Sequence, residues 1–79
     1  MANRVIVWKN NKSVASAKNL EVLSRYHRQS PVKSTSIKKL PDGAVLKVYF
    51  SDGAWAIVNF ASYDVLKRWL DVKKKRSGW

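Results

Sequence analysis

Alternation of apolar and polar positions is clearest over positions 44–60, AVLKVYFSDGAWAIVNF, where two strand-length runs meet at Asp52-Gly53. An Asp-Gly pair between such runs marks a β-hairpin, because a type I′ turn holds both central residues at positive φ. With these two residues as the loop, Phe50 faces Trp55, Tyr49 faces Ala56, Val48 faces Ile57 and Lys47 faces Val58. The period of two then places Leu46, Val48, Phe50, Trp55 and Ile57 on one face, which reads as core. Val45, Lys47, Tyr49, Ala56, Val58 and Phe60 share the other, an apolar face with a cationic and aromatic streak.

Upstream, positions 4–8 (RVIVW) form a short β-branched run that stops at the turn-like Lys9-Asn10-Asn11-Lys12. Its near-continuous apolarity predicts cover on both sides, and Trp8 reads as core rather than as a stacking platform. From position 13 to 30 the spacing turns helical, with Ser16 or Asn19 as N-cap. Leu20, Leu23 and Tyr26 or His27 face inward, while Lys18, Glu21, Arg25 and Arg28 face outward with Glu21 and Arg25 at i,i+4. Ser30-Pro31 ends this helix, since a residue before proline avoids the α region.

Positions 32–40, VKSTSIKKL, read as a weaker strand that enters the turn Pro41-Asp42-Gly43. A two-residue loop there points Ile37 to the core, and a three-residue loop points Lys38 instead. Either way Lys33, Lys38 and Lys39 lie on or near an outer strand. A second helix starts at Ser62 as N-cap with Asp64 in its first turn, and Leu66, Trp69 and Leu70, flanked by Val65 and Val72, form its inward stripe. Asp64 with Arg68, Lys67 with Asp71, and Asp71 with Lys75 lace its polar side at i,i+4. Lys73, Lys74, Lys75 and Arg76 close it with more cations than a helix terminus requires. The tail Ser77-Gly78-Trp79 is expected to be mobile, with Trp79 either packing back on the domain or anchoring a partner.

These elements give one α+β domain over positions 1–79 in the order β-α-β-β-β-α, a three-stranded antiparallel meander packed with two helices. Consecutive strands with short turns followed by a helix, over positions 37–72, resemble the layout of AP2-type and integrase arm-type DNA-binding domains. The αβββα order over positions 16–76 is similar to that of double-stranded-RNA-binding domains. The likeness is one of layout: Ala61-Ser62-Tyr63-Asp64 stands where a double-stranded-RNA-binding domain carries a lysine-rich helix start.

Composition narrows the chemistry. Seventy-nine residues leave room for only a small core. With no cysteine there is neither a disulfide framework nor a thiolate metal site. The five carboxylates all have local roles, Glu21, Asp64 and Asp71 on helices and Asp42 and Asp52 in turns, so no acid/base pair is left over. His27 is the single histidine, and the three glycines make no phosphate-cradling loop. A protein without enzymatic activity, cofactor or metal is expected. No apolar run is long enough to span a bilayer, and Met1-Ala2-Asn3-Arg4 does not open like a signal peptide, so a soluble cytoplasmic protein without membrane contact is expected.

Charge supplies the functional expectation. Sixteen Lys and Arg against five Asp and Glu leave a formal net charge of +11, which favours a polyanionic partner. The first reading is DNA or RNA binding, with Lys38, Lys39, Lys47, Lys73, Lys74, Lys75 and Arg76 on phosphates, Tyr49 stacking, and Arg25 and Arg28 as a second phosphate stripe. The second is a protein-interaction module docking through Val45, Tyr49, Val58 and Phe60. Its partner would be an acidic protein surface or a nucleoprotein complex, as for a phage- or plasmid-type inhibitor such as an anti-CRISPR protein. Homodimerisation through the same face is a variant of that reading.

Overall fold

The computed structural model describes residues 5–79. Its elements are β1 (Val5–Lys9), β2 (Lys12–Ala17), α1 (Glu21–Gln29), β3 (Val32–Leu40), β4 (Gly43–Phe50), β5 (Trp55–Phe60) and α2 (Tyr63–Ser77). The strands form one antiparallel sheet in the order β2-β1-β5-β4-β3. The α+β class therefore holds, with one strand more than the apolar pattern predicts. Positions 13–17, expected to be helical, are β2. Arg4, expected to open the leading strand, lies outside the described residues.

The extra strand follows from the Asn10-Asn11 pair, whose φ angles of 53° and 64° fit the two left-handed positions of a two-residue hairpin loop. Asparagine tolerates that region better than other residues with a side chain. Lys9 and Lys12 then face each other, and β2 runs back along β1. Val14 is the extra residue of a bulge opposite Val7 and Trp8 and is exposed.

Both helices pack on the same face of the sheet, α1 over β1 and β2, α2 over β4 and β5. Val22 and Leu23 from α1, and Leu66 and Leu70 from α2, meet Val5, Val7, Leu46, Val48, Phe50 and Val58 in one core. Ala44, Ala54 and Ala56 are buried there too, small residues that let a helix approach the strands closely. Gly43 has a comparable reason: a Cβ at that position would sit 2.6 Å from the carbonyl oxygen of Phe60. Of the two loop lengths open at Pro41, two residues is correct, since Leu40 pairs Gly43 and Ile37 pairs Leu46. Ile37 accordingly packs against the core.

The β4–β5 register departs from the sequence reading by one residue. Tyr49, not Phe50, pairs Trp55, and Val48 pairs Ala56. The loop is longer than Asp52-Gly53: the Phe50 N–H donates to the Ala54 carbonyl at 2.8 Å, the Gly53 N–H donates back to the Phe50 carbonyl, and Gly53 takes a φ of 91°. This is the arrangement of a three-residue hairpin with a left-handed glycine at its bulge. Because side chains alternate, one residue of slip exchanges the two faces of β5. Ala56, Val58 and Phe60 turn to the helices, and Trp55 and Ile57 turn away from them.

Three contacts hold this hairpin in place. The Tyr26 hydroxyl donates to Asp52 Oδ2 at 2.5 Å, Asp52 Oδ1 accepts from the Ala54 N–H at 3.0 Å, and the Ser51 N–H donates to the Pro31 carbonyl at 2.9 Å. Lys9 Nζ lies 3.5 Å from Asp52 Oδ2, so one carboxylate ties α1, β1 and the β4–β5 loop together.

The helix ends follow local rules. Ser62 caps α2 through the Val65 N–H. The N-cap of α1 is Leu20 rather than Ser16, which lies in β2, or Asn19, whose side chain accepts from the Glu21 N–H one residue ahead of the cap position. Gly78 ends α2 in the left-handed conformation with φ 70°, which folds the chain back. Trp79 consequently lies against Trp69 and His27, at ring-centroid distances of 5.2 and 5.9 Å. Of the two alternatives for Trp79, the structure thus has it packed back on the domain. Its indole nitrogen is buried without a hydrogen-bond partner, so apolar contact holds the ring. His27 joins the helix ends: Nδ1 accepts from the Val32 N–H at 2.9 Å, which leaves Nε2 to donate to the Ser77 carbonyl at 2.7 Å.

Candidate nucleic-acid interface

With both helices on one side, the other face of the sheet carries no element of the described chain. Register assigns its side chains in rows. The first row crosses all five strands as Ser13, Trp8, Trp55, Tyr49 and Ser34. Beside it lie Ser16 with Ile6 and Ile57 with Lys47 and Ser36, and beyond them Asn59, Val45 and Lys38.

The first row puts three aromatic rings on adjacent strands. Trp8 and Trp55 are directly paired, with ring centroids 6.2 Å apart and planes 24° from parallel. Tyr49 completes the row on β4 and is 36% exposed. Lys47, two residues before Tyr49 and on the same face, holds its Nζ 5.0 Å from the Tyr49 ring centre and 5.4 Å from that of Trp55. Cation–π attraction to two rings places this charge in the middle of the face. Ile57, 47% exposed, adds apolar surface next to it.

The acidic group nearest this edge is internally compensated. Asp52 is held down to about 2, chiefly by the hydrogen bond from Tyr26, with the Ala54 N–H, Ser30 and Lys9 adding to it against desolvation. The same bond raises Tyr26 to about 12, because losing the phenolic proton beside a carboxylate is unfavourable. Among the described residues Lys9–Asp52 is the ion pair formed, and the i,i+4 pairs expected on the helices do not close. Most cations among the described residues therefore have no acidic partner within ion-pair distance.

The residues singled out from sequence do not form one site. Lys38, Lys47, Tyr49 and Val45 share the open face. Lys39 points to the other side, its Nζ 4.4 Å from the Tyr63 ring centre of α2. Val58 and Phe60, grouped with Val45 and Tyr49 by the two-residue loop, lie beneath α2 instead: Val58 is 7% exposed and Phe60 packs 5.8 Å from Trp69. They cannot line a patch with Tyr49. Arg25 and Arg28 are exposed on α1, and Lys74, Lys75 and Arg76 are exposed at the end of α2, all on the helical side. Lys73 leans over Trp69 with its Nζ 5.6 Å from the ring centre.

Two rings of the aromatic row are missed by sequence reasoning. Apolarity alone puts Trp8 in the core, and the two-residue hairpin register puts Trp55 there. The readable signal is in their neighbours: the helices demand small residues beneath them, and Ala54 and Ala56 supply these only if Trp55 faces away.

No helix among the described residues is long and apolar enough to cross a membrane. Compared with protein families, curated proteins and solved structures, the chain matches none.

Proposed function

We propose that the chain is a non-enzymatic nucleic-acid-binding module whose interface is the helix-free face of the sheet. The observation that carries this reading is the row Trp8–Trp55–Tyr49 with Lys47 held beside it, on a surface that no helix covers. The outward sides of half-buried Trp8 and Trp55 and of exposed Tyr49 would take bases when Lys47 moves from over Tyr49 and Trp55 to a phosphate, and Lys38 adds a second charge. Arg25, Arg28, Lys74, Lys75 and Arg76 raise the positive field from the opposite side and speed encounter rather than fix geometry.

The test is a salt series of binding to short labelled oligonucleotides, with Lys38→Gln and Lys47→Gln beside the parent chain. A plot of log K against log salt should be steep. For every phosphate that a lysine neutralises, its replacement should flatten the plot by about 0.7 on single strands or 0.9 on duplex. Slopes identical in all three proteins would remove these lysines from the interface.

Docking on an acidic protein surface is the second reading, favoured by Ile57 at 47% and Leu40 at 39% exposure together with Val45 and Ile6 on the same face as Ile57. It expects little affinity for any oligonucleotide at moderate salt.

A further inference from the structure

We infer that the ligand of the open face is single-stranded nucleic acid, its bases stacked on Trp8, Trp55 and Tyr49; this rests on the nucleic-acid reading above. Two features of the face separate single strands from duplex.

The first is width. Five strands at about 4.8 Å spacing span roughly 19 Å, whereas the major groove of B-form DNA is about 12 Å wide and admits a two-stranded ribbon or a helix. The rings sit on β1, β5 and β4, the three inner strands, with β2 and β3 flanking them. The flanking strands would meet the phosphate backbones before the rings reached a base. A flat approach to a duplex therefore leaves the aromatic row unused.

The second is chemistry. A duplex presents base edges, which are read by hydrogen-bonding side chains, while only an unstacked strand presents base faces. The central row holds two tryptophans and a tyrosine but no arginine, asparagine or glutamine. Its hydroxyls and indole N–H groups are single donors or acceptors, and none can make the bidentate base-edge contacts of arginine, asparagine or glutamine. Such a row binds bases with little regard to sequence, and three rings suit two or three successive bases. Lys47 lies one row away, at the centre of the face, where the backbone linking those bases would pass.

The experiment compares affinities at one moderate salt concentration for a single-stranded DNA, an RNA of the same sequence, the corresponding DNA duplex, and an abasic strand of equal length and charge. Trp55→Leu, Tyr49→Leu and Trp55→Phe accompany the parent protein, with circular dichroism to establish that each is folded. Leucine keeps apolar cover without a ring; phenylalanine keeps a ring.

The inference expects a base-bearing single strand to bind at least about 10-fold more tightly than duplex or abasic strand. Each leucine variant should lose about 10-fold or more on that strand, and Trp55→Phe should recover most of the loss, as one base–ring stack is worth about 1–3 kcal/mol. The DNA and RNA arms decide which strand chemistry is preferred. Duplex binding as tight as single-strand binding, with leucine variants unchanged, overturns the inference and leaves the nucleic-acid reading standing. Failure of all four ligands to bind overturns both.

Discussion

Tyr26→Phe removes one hydroxyl and tests how the β4–β5 register is held. The phenol donates to Asp52 at 2.5 Å, the length of a strong charge-assisted bond, and is the largest reason Asp52 falls from 3.8 to about 2. At roughly 1.4 kcal/mol per pH unit, that fall corresponds to an upper bound of about 2.5 kcal/mol. Asp52 keeps 23% of its side-chain surface in water and has further partners in Ala54, Ser30 and Lys9, so about 1–1.5 kcal/mol is the share expected for the Tyr26 bond. The sign follows from the direction. A depressed carboxylate stabilises the fold fully above its ordinary 3.8 and loses that contribution as pH falls towards 2; a raised phenol contributes fully below 10.0 and loses it as pH rises through about 12. Urea unfolding of both proteins at pH 7, 4 and 2.5 should show the variant weaker by about 1–1.5 kcal/mol at pH 7, with the gap narrowing towards pH 2.5. The difference between the two proteins reads this bond alone. A gap below about 0.3 kcal/mol at pH 7, or one that does not change with pH, would refute the reasoning.

Two further substitutions probe the frame behind the face. Gly43→Ala forces a Cβ against the Phe60 carbonyl at 2.6 Å and should cost about 1–3 kcal/mol, read as a fall in midpoint on thermal or urea unfolding; an unchanged midpoint would mean β4 and β5 can part there freely. His27→Phe keeps a ring against Trp79 but leaves the Val32 N–H and the Ser77 carbonyl without this partner, so stability should fall by about 1–2 kcal/mol and hydrogen exchange at Val32 should accelerate.

The parts of the fold that depend on local signals are legible in the sequence: the Ser62 cap, the inward stripe of Leu66 and Leu70, the stop at Pro31, and the two hairpins at Pro41 and Asp52. The α-β-β-β-α order from α1 to α2 is present as well, with the β1–β2 hairpin added beside β5. What escapes is set by contacts distant along the chain. Asp52-Gly53 announces a hairpin, but whether two or three residues form the loop depends on Tyr26, 26 positions away, and on Pro31. That one residue decides whether Trp55 and Ile57 or Ala56 and Val58 meet the helices. Bulk favours the wrong set, because a strand read alone gives no sign that a helix must lie close above it. The β2 strand, KSVASA, has one β-branched residue and carries little intrinsic preference; only the left-handed Asn10-Asn11 pair announces it. The candidate site suffers most, since it is defined by which side chains share a face.

The most direct test of the central claim is to titrate isotope-labelled protein with a short single-stranded oligonucleotide and follow its amide and indole signals by NMR. Interaction through the open face predicts that the largest shifts fall on the Trp8 and Trp55 indoles and on the amides around Lys47 and Tyr49, with α1 and the end of α2 moving little. Shifts concentrated on Arg25, Arg28, Lys74, Lys75 and Arg76, with the Trp8 and Trp55 indoles unmoved, would place the interface on the helices and contradict the account.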